Sequence, residues 1–356
     1  MEYRKLGRTG LKVSTLCLGT MTMGKQVDEA TSLQLIDRAV ELGVNFIDTA
    51  DMYVNGVTEQ IVAKAIKGRR DSLVLASKGG HIRKLAAKYG EQIVSGPIDL
   101  ARPKHFRPWE SGEGTGPNDM GLSRKHLMQA LEGSLKRLGT DYLDIYYAHM
   151  PDYDTPLDET LRAMDDMVRQ GKVRYLGCSN FRAFQLAKSL WLSDKHELAR
   201  WDVIQPPFNL LARDVEYELL PLCLEESVGV VPFSPMAAGL LSGKYDKDKA
   251  PLEGARYSLG QWGYTYNKPY WNDLNFAAIE QLKQIAAGAG VSLSRFALAW
   301  VLANPAITAI SNGSTSVAQL EDNIAATDIK LSPDILAACD AVWLSVRPPT
   351  TVFYGR

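Results

Sequence analysis

The sequence predicts an α/β chain folded as a (β/α)8 TIM barrel, and three observations carry that prediction. Short β-branched or apolar runs alternate with stretches of helical period, the pattern of repeated βα units around a parallel sheet. Most strand starts recur roughly every 30 residues, the size of one such unit. No Gly/Ser/Pro-rich linker divides the chain, so residues 1–356 read as a single domain.

Taken in order, Tyr3 to Val13, with Gly7 and Thr9-Gly10, reads as a β-hairpin plugging the N-terminal mouth of the barrel. The barrel strands are expected near Leu16–Gly19, Phe46–Asp48, Val74–Ser77, Ile145–Tyr147, Tyr175–Cys178, Val203–Gln205, Val230–Phe233 and Thr308–Ile310. Between them, Glu29 to Leu42, Thr58 to Lys67, Lys125 to Leu138, Leu157 to Gln170, Arg213 to Glu225 and Leu293 to Leu302 place apolar residues three and four apart, as amphipathic helices do. The repeat is interrupted twice. Insertions at 81–122 and 240–275 both follow strands, so they are expected over the C-terminal face, where active sites of this architecture sit. After the eighth strand, Ser332 to Leu344 reads as an extra C-terminal helix with Ser332 as N-cap and Pro333 at its first position.

Composition narrows the function classes. Lys plus Arg (40) nearly cancels Asp plus Glu (41), for a formal net charge of −1 over 356 residues. Such a chain has no broad positive field for nucleic acid phosphates or an anionic membrane, which leaves a small-molecule ligand as the expected partner. The four cysteines Cys17, Cys178, Cys223 and Cys339 are widely spread and form no C-x-x-C, so neither a disulfide framework nor a zinc site is indicated. No secretory h-region and no long uncharged apolar run occurs, and a cytoplasmic location is expected.

Chemistry is read first by elimination. The chain has no G-x-G-x-x-G, no phosphate-binding G-x-x-x-x-G-K-[ST] loop, no H-E-x-x-H and no G-x-S-x-G elbow. What remains is a set of polar residues at strand ends: Asp48-Thr49-Ala50-Asp51-Met52-Tyr53 after the second strand, Ser77-Lys78 at the third, Tyr147-Ala148-His149 at the fourth. A barrel gathers these at one rim. Asp48 near Lys78, and Lys78 near Tyr53, would favour the phenolate and draw the tyrosine pKa down from about 10 toward working pH, making Tyr53 a usable proton donor. Singly, each has a plainer reading: a rim aromatic, an ion pair, a core histidine. Four reactive types on successive strand ends favour a catalytic one.

These residues carry a family resemblance. Gly43-Val44-Asn45-Phe46-Ile47-Asp48-Thr49-Ala50-Asp51-Met52-Tyr53 resembles the aldo-keto reductase signature G-x-N-x-[FI]-D-T-A-x-x-Y. Gly171 to Phe181 is similar to the family's fifth-strand segment and Phe233 to Tyr245 to its seventh, in the correct order and across nearly the whole chain. The resemblance, closest to the subgroup of potassium channel β-subunit-like and bacterial members, implies NADPH bound without a Rossmann fold, with NADH left open. It implies a catalytic tetrad of Asp48, Tyr53, Lys78 and His149; no metal is expected, because the five histidines form neither H-E-x-x-H nor H-x-H. Ser179, Asn180 and Gln205 would hydrogen-bond the nicotinamide carboxamide, and Phe233 would stack on its ring where relatives often carry Tyr or Trp. Gly19 and Thr20 would contact the cofactor. Ser234, Met236, Gly239, Leu241 and Lys244 would follow the pyrophosphate, Gly313, Ser314 and Thr315 would open a phosphate-binding helix, and Asp322 and Asn323 would meet the adenine. Many members carry Lys and Arg where this chain has Gly313 and Gln319. The channel-β-like members also use Gln there and take an Arg from the loop after the seventh strand, for which Arg256 is the candidate.

Substrate contacts are expected from Met23, which stands where many reductases carry a nearby tryptophan, and from Trp109, Trp262, Tyr264 and Trp271 in the insertions. The expected activity is reduction of an aldehyde or ketone, such as a keto-sugar or other bulky carbonyl, to an alcohol. The rival reading is a cofactor-sensing regulatory subunit resembling channel β proteins. A homo-oligomer is left open.

Overall fold

The computed structural model describes residues 1–80, 116–251, 253, 255–258 and 270–347. Strands β1 (Tyr3–Lys5) and β2 (Lys12–Ser14) pair antiparallel, Tyr3 opposite Ser14, as the expected hairpin. Eight parallel strands follow in one sheet: β3 (Leu16–Gly19), β4 (Phe46–Asp48), β5 (Val74–Gly79), β6 (Leu143–Ala148), β7 (Val173–Ser179), β8 (Trp201–Gln205), β9 (Gly229–Val230) and β10 (Ile310–Asn312). Each strand pairs with the next, and β10 pairs with β3. Between β9 and β10 the ladder thins to single bridges, Val230 with Ile307 and Phe233 with Ser311. Pro232 explains why: it has no N–H to donate, though its carbonyl still accepts from Ser311 N at 2.9 Å. The seventh strand is therefore shorter than the expected Val230–Phe233, and the eighth starts two residues later than Thr308.

The helices are α1 (Glu29–Glu41), α2 (Val57–Ile66), α3 (Arg124–Leu138), α4 (Leu157–Arg169), α5 (Ala183–His196), α6 (Leu219–Glu225), α7 (Asp273–Gly288), α8 (Leu293–Ala303), α9 (Val317–Ala325) and α10 (Pro333–Val346). Helix α10 begins as expected, with Ser332 Oγ accepting from Ile335 N and Pro333 in the first turn. The expected helix from Arg213 breaks into a 3-10 turn at Asp214–Glu216 and a separate α6. Pro221 is tolerated in a first helical turn but not deeper, so α6 starts only at Leu219. Helices α5 and α7 were not anticipated.

Side-chain alternation along the strands makes two concentric apolar layers. Cys17, Phe46, Val74, Ala76, Ile145, Tyr147, Val203, Val231 and Ala309 fill the barrel lumen together with Leu6 and Val13 of the hairpin. Their strand neighbours Leu16, Leu18, Ile47, Leu75, Tyr146, Ile204 and Ile310 face the surrounding helices. The period of two fixes what comes next at the top of each strand: the lumen side after Phe46 is Asp48, after Ala76 is Lys78, after Val203 is Gln205 and after Ala309 is Ser311. Apolar residues close the lower lumen, so the polar layer meets solvent only from the C-terminal face. Of the expected insertions, residues 81–115, 252, 254 and 259–269 lie outside the described residues, and with them Trp109, Trp262 and Tyr264.

Candidate active site

The lumen's uppermost layer is polar and dense. Lys78 is fully buried, and its ammonium donates to Asp48 Oδ2 at 2.6 Å, to the Thr49 carbonyl at 3.0 Å and to Tyr53 Oη at 3.3 Å. An ammonium has three protons, and here each has one acceptor. Burial is the strongest influence on Lys78 and pulls its pKa down. The Asp48 and Tyr53 charges and hydrogen bonds together outweigh it, so the group is pushed up to about 12. Lys78 therefore stays cationic throughout the physiological range. Below it, the Tyr147 ring lies 5.8 Å from the ammonium and packs over Gly177, where a Cβ would stand 2.4 Å from that ring.

Tyr53 reaches this layer because β4 ends in a kinked turn. Residues Tyr53–Gly56 form a 3-10 segment in which Val54 and Asn55 have φ of 47° and 53°, and Gly56 at φ 92° leads into α2. Left-handed Val54 is costly for a β-branched residue. The turn carries the tyrosine back over the barrel mouth, half-exposed, its ring edge-on to His149 with centroids 6.2 Å apart. His149 follows β6 directly, its amide bonded to the Gly79 carbonyl and its carbonyl accepting from Asn180 Nδ2 at 3.0 Å. The four residues expected to act together thus meet at one rim.

The neighbouring expected residues form a connected rim. Ser179 Oγ donates to the Gln205 carbonyl at 2.8 Å, Asn180 sits at φ 63°, and Gln205 Nε2 lies 3.4 Å from Asp48 Oδ2. Thr20 Oγ1 donates to the Asp48 carbonyl. After Phe233, which bridges to Ser311, the chain runs through left-handed Ser234, Ala237, Ala238 and Gly239. The run closes on itself in turns, Ala237 N donating to the Ser234 carbonyl at 2.9 Å and Gly239 N to the Met236 carbonyl at 2.8 Å. The Tyr257 hydroxyl ties it to the 3-10 turn Arg256–Ser258 by donating to the Ala237 carbonyl at 2.7 Å. Lys244 and Arg256 meet at Tyr245: the Lys244 ammonium is 5.2 Å from its ring, and the Arg256 charge acts on its hydroxyl. At the start of α9, Gln319 Oε1 accepts from Thr315 N and Oγ1, and Asn323 Nδ2 donates to Ser314 Oγ.

Three of the expected contact residues are engaged within the protein itself. Met23 has no exposed surface and packs in the outer core, so it cannot touch a substrate in this conformation. The Leu241 side chain is likewise fully buried, leaving only its backbone for a ligand. Asp322 pairs with Arg295 at 2.7 Å and keeps 38% of its side chain exposed. Trp271 packs at 5.0–5.6 Å against Tyr245, Tyr257 and Phe276, an aromatic cluster that anchors the second insertion to α7. Sequence reading also missed two participants. Ser311 Oγ lies 3.4 Å from Asp48 Oδ2. Glu59, fully buried, accepts from Ser77 Oγ and from Arg137 Nε, each at 2.6 Å, and so ties the strand bearing Lys78 to α2 and α3. Its place six residues after Tyr53, on the buried face of α2, was the available signal.

A model of the Aldo/keto reductase family matches residues 15–344. A probable voltage-gated potassium channel subunit beta of Oryza sativa subsp. japonica is 36% identical over 358 residues, covering 99% of this chain and all of that one. The uncharacterized oxidoreductase YrpG of Bacillus subtilis is 39% identical over 344 residues, and versiconal hemiacetal acetate reductase of Aspergillus parasiticus 31% over 344, each match covering 94% of both chains.

Proposed function

The chain belongs to the aldo/keto reductase family of NAD(P)H-using oxidoreductases, and we propose from that premise that it reduces an aldehyde or ketone to an alcohol with NADPH, Tyr53 giving the proton. The observation that carries this reading is the buried Lys78 ammonium, shared between Asp48 and the Tyr53 hydroxyl. The rim suits a dinucleotide. Gly19 and Gly313 approach each other with bare backbone, a Cβ on Gly313 falling 3.2 Å from the Gly19 carbonyl, and the N-terminus of α9 opens just after Ser314 and Thr315.

When bound, the cofactor supplies a hydride to the carbonyl carbon. The remaining work falls to this chain's side chains. Tyr53 Oη hydrogen-bonds the carbonyl oxygen and passes its proton to it as charge develops there. Lys78, cationic and desolvated, stabilises the tyrosinate that results, and Asp48 balances the lysine charge while the tyrosine is neutral. His149, edge-on to Tyr53, orients the same oxygen. Ser179, Asn180 and Gln205 are assigned to the carboxamide, Lys244 and the α9 start to the phosphates, and Arg256 to the 2′-phosphate. We place the protein in the cytoplasm, acting on a small carbonyl compound, a keto-sugar or other bulky carbonyl being the class the large insertions suit.

The likeness to a probable channel β subunit favours one second reading, a cofactor-sensing regulatory subunit. Cofactor oxidation over a panel of aldehydes, ketones and keto-sugars separates the two. Tyr53→Phe is expected to lower turnover by about 10²–10⁴-fold with cofactor binding retained, whereas turnover undiminished in that variant overturns the proton-donor assignment. Titrating NADPH and NADH by nicotinamide fluorescence with Arg256→Ala tests the preference; an unchanged ratio removes Arg256 from the 2′-phosphate.

A further inference from the structure

On the outer wall of the barrel, away from the rim, four large apolar side chains stand open on adjacent elements. Phe184 (60% exposed) and Trp191 (57%) lie on α5, and Tyr217 (50%) and Leu224 (54%) lie just before and on α6. Each pair is seven residues apart, which on α5 is two helical turns or about 10 Å. Arg200 locks the two elements together at their lower ends, pairing with Asp194 of α5 and with Glu226 after α6. The basic residues that stand out at α5 are Arg182 at its N-cap and Lys188 and Lys195 on it, all exposed, with the Lys195 ammonium 5.0 Å from the Trp191 ring; the exposed acids Asp194 and Glu197 lie at its lower end, where Arg200 engages Asp194. The charged residues around α6 are mainly acidic, Asp214, Glu218 and Glu225 being exposed, with the cation Arg347 beside them, which donates to the Tyr217 hydroxyl at 2.6 Å. The spacing repeats, since Lys188 and Lys195 are seven apart and so are Glu218 and Glu225.

An apolar patch of this kind marks an interaction surface, and its charge pattern selects the occupant. We propose that this face binds a second copy of the same chain in a two-fold dimer, α5 of one protomer lying over α6 of the other. A two-fold axis in the contact plane, running along the groove between the helices, brings α5 opposite the partner's α6 twice and preserves height along the wall. Phe184 then meets the Tyr217 level, Trp191 the Leu224 level, and the two lysines the two glutamates. A single surface that is basic on one half and acidic on the other is complementary to itself only under such an axis.

Sedimentation velocity on the full-length protein tests this. The wild type is expected at twice the chain mass, weakening with added salt. Lys188→Glu/Lys195→Glu and, separately, Glu218→Lys/Glu225→Lys are each expected to raise the dissociation constant by about a hundredfold or more, because like charges then oppose at both symmetric contacts. Mixing the two variants is expected to restore a dimer, both contacts again pairing opposite charges, with circular dichroism confirming that each variant is folded. A monomeric wild type, or an assembly indifferent to both charge reversals, overturns the proposal, as does capture of some other protein by this face without self-association.

Discussion

At the scale of single residues, the proposed chemistry depends on keeping one lysine charged where solvent does not reach. Lys78 has a pKa near 12 in the fold against 10.5 ordinarily, so its stabilising contribution is fully present below about 10.5 and is lost as pH rises through about 12. Glu59 acts one step behind it. Its carboxylate holds Ser77, the chain neighbour of Lys78, and Arg137 at once. Glu59→Gln is expected to cost about 3 kcal/mol in urea unfolding, because Arg137 is left half-buried without its anion. Turnover is expected to fall about tenfold at nearly constant KM, as the Lys78 to Tyr53 distance loosens. The double variant Glu59→Gln/Arg137→Met recovers much of the stability if the loss is an unpaired charge, and none if Glu59 matters only by packing. Asp48, Tyr53, Lys78 and His149 were legible in the chain because they sit at strand ends. Ser311 was not, since a hydrogen-bond partner across the fold leaves no mark in local spacing, and Glu59 showed only its place on the buried face of α2 and not its partners.

At the scale of elements, the strands lie where short β-branched or apolar runs placed them because that signal is local, whereas strand ends depended on neighbours. The seventh and eighth strands shifted where Pro232 interrupts the ladder. Another irregularity lies at β7–β8, where the register shifts between Leu176 and Gly177 and Asp202 accepts from Leu176 N. Burial pushes the Asp202 carboxyl up to about 6 from an ordinary 3.8. The folded state thus holds the proton more tightly than the unfolded chain, so its favourable contribution is present below about 3.8 and is lost as pH rises through about 6. Asp202→Asn keeps an acceptor for Leu176 without a charge to bury. Chemical denaturation is expected to show this variant more stable than wild type by about 1–3 kcal/mol at pH 7.5, with the gap closing at pH 4. An equal gap at both pH values would contradict this account.

At the scale of the whole molecule, the hairpin is what converts an open tube into a packed one. Leu6 and Val13 enter the lumen from below, and Gly7, at φ 52°, brings its backbone so close that a Cβ would lie 2.5 Å from Gly229 N and 2.6 Å from the Ser227 carbonyl. Gly7→Val is expected to lower unfolding stability by about 2–4 kcal/mol. Gly10→Ala, where a Cβ meets nothing within 4 Å, is the control and is expected to change stability by less than about 1 kcal/mol. Equal losses in the two would mean that the hairpin does not seat against the barrel floor.

The sequence by itself determined the periodicities, and with them the barrel, the order of its units, the extra C-terminal helix and the strand ends that carry chemistry, because each of these is written in residues near one another in the chain. Only the tertiary structure decided which of those polar groups touch. Lys78 finds its three acceptors on a different strand and the turn that follows it, Glu59 joins two helices to a strand, Asp322 is taken by Arg295, and Met23 is drawn into the core. Such pairings arise from packing between segments distant in sequence, where side-chain reach and burial decide the partner.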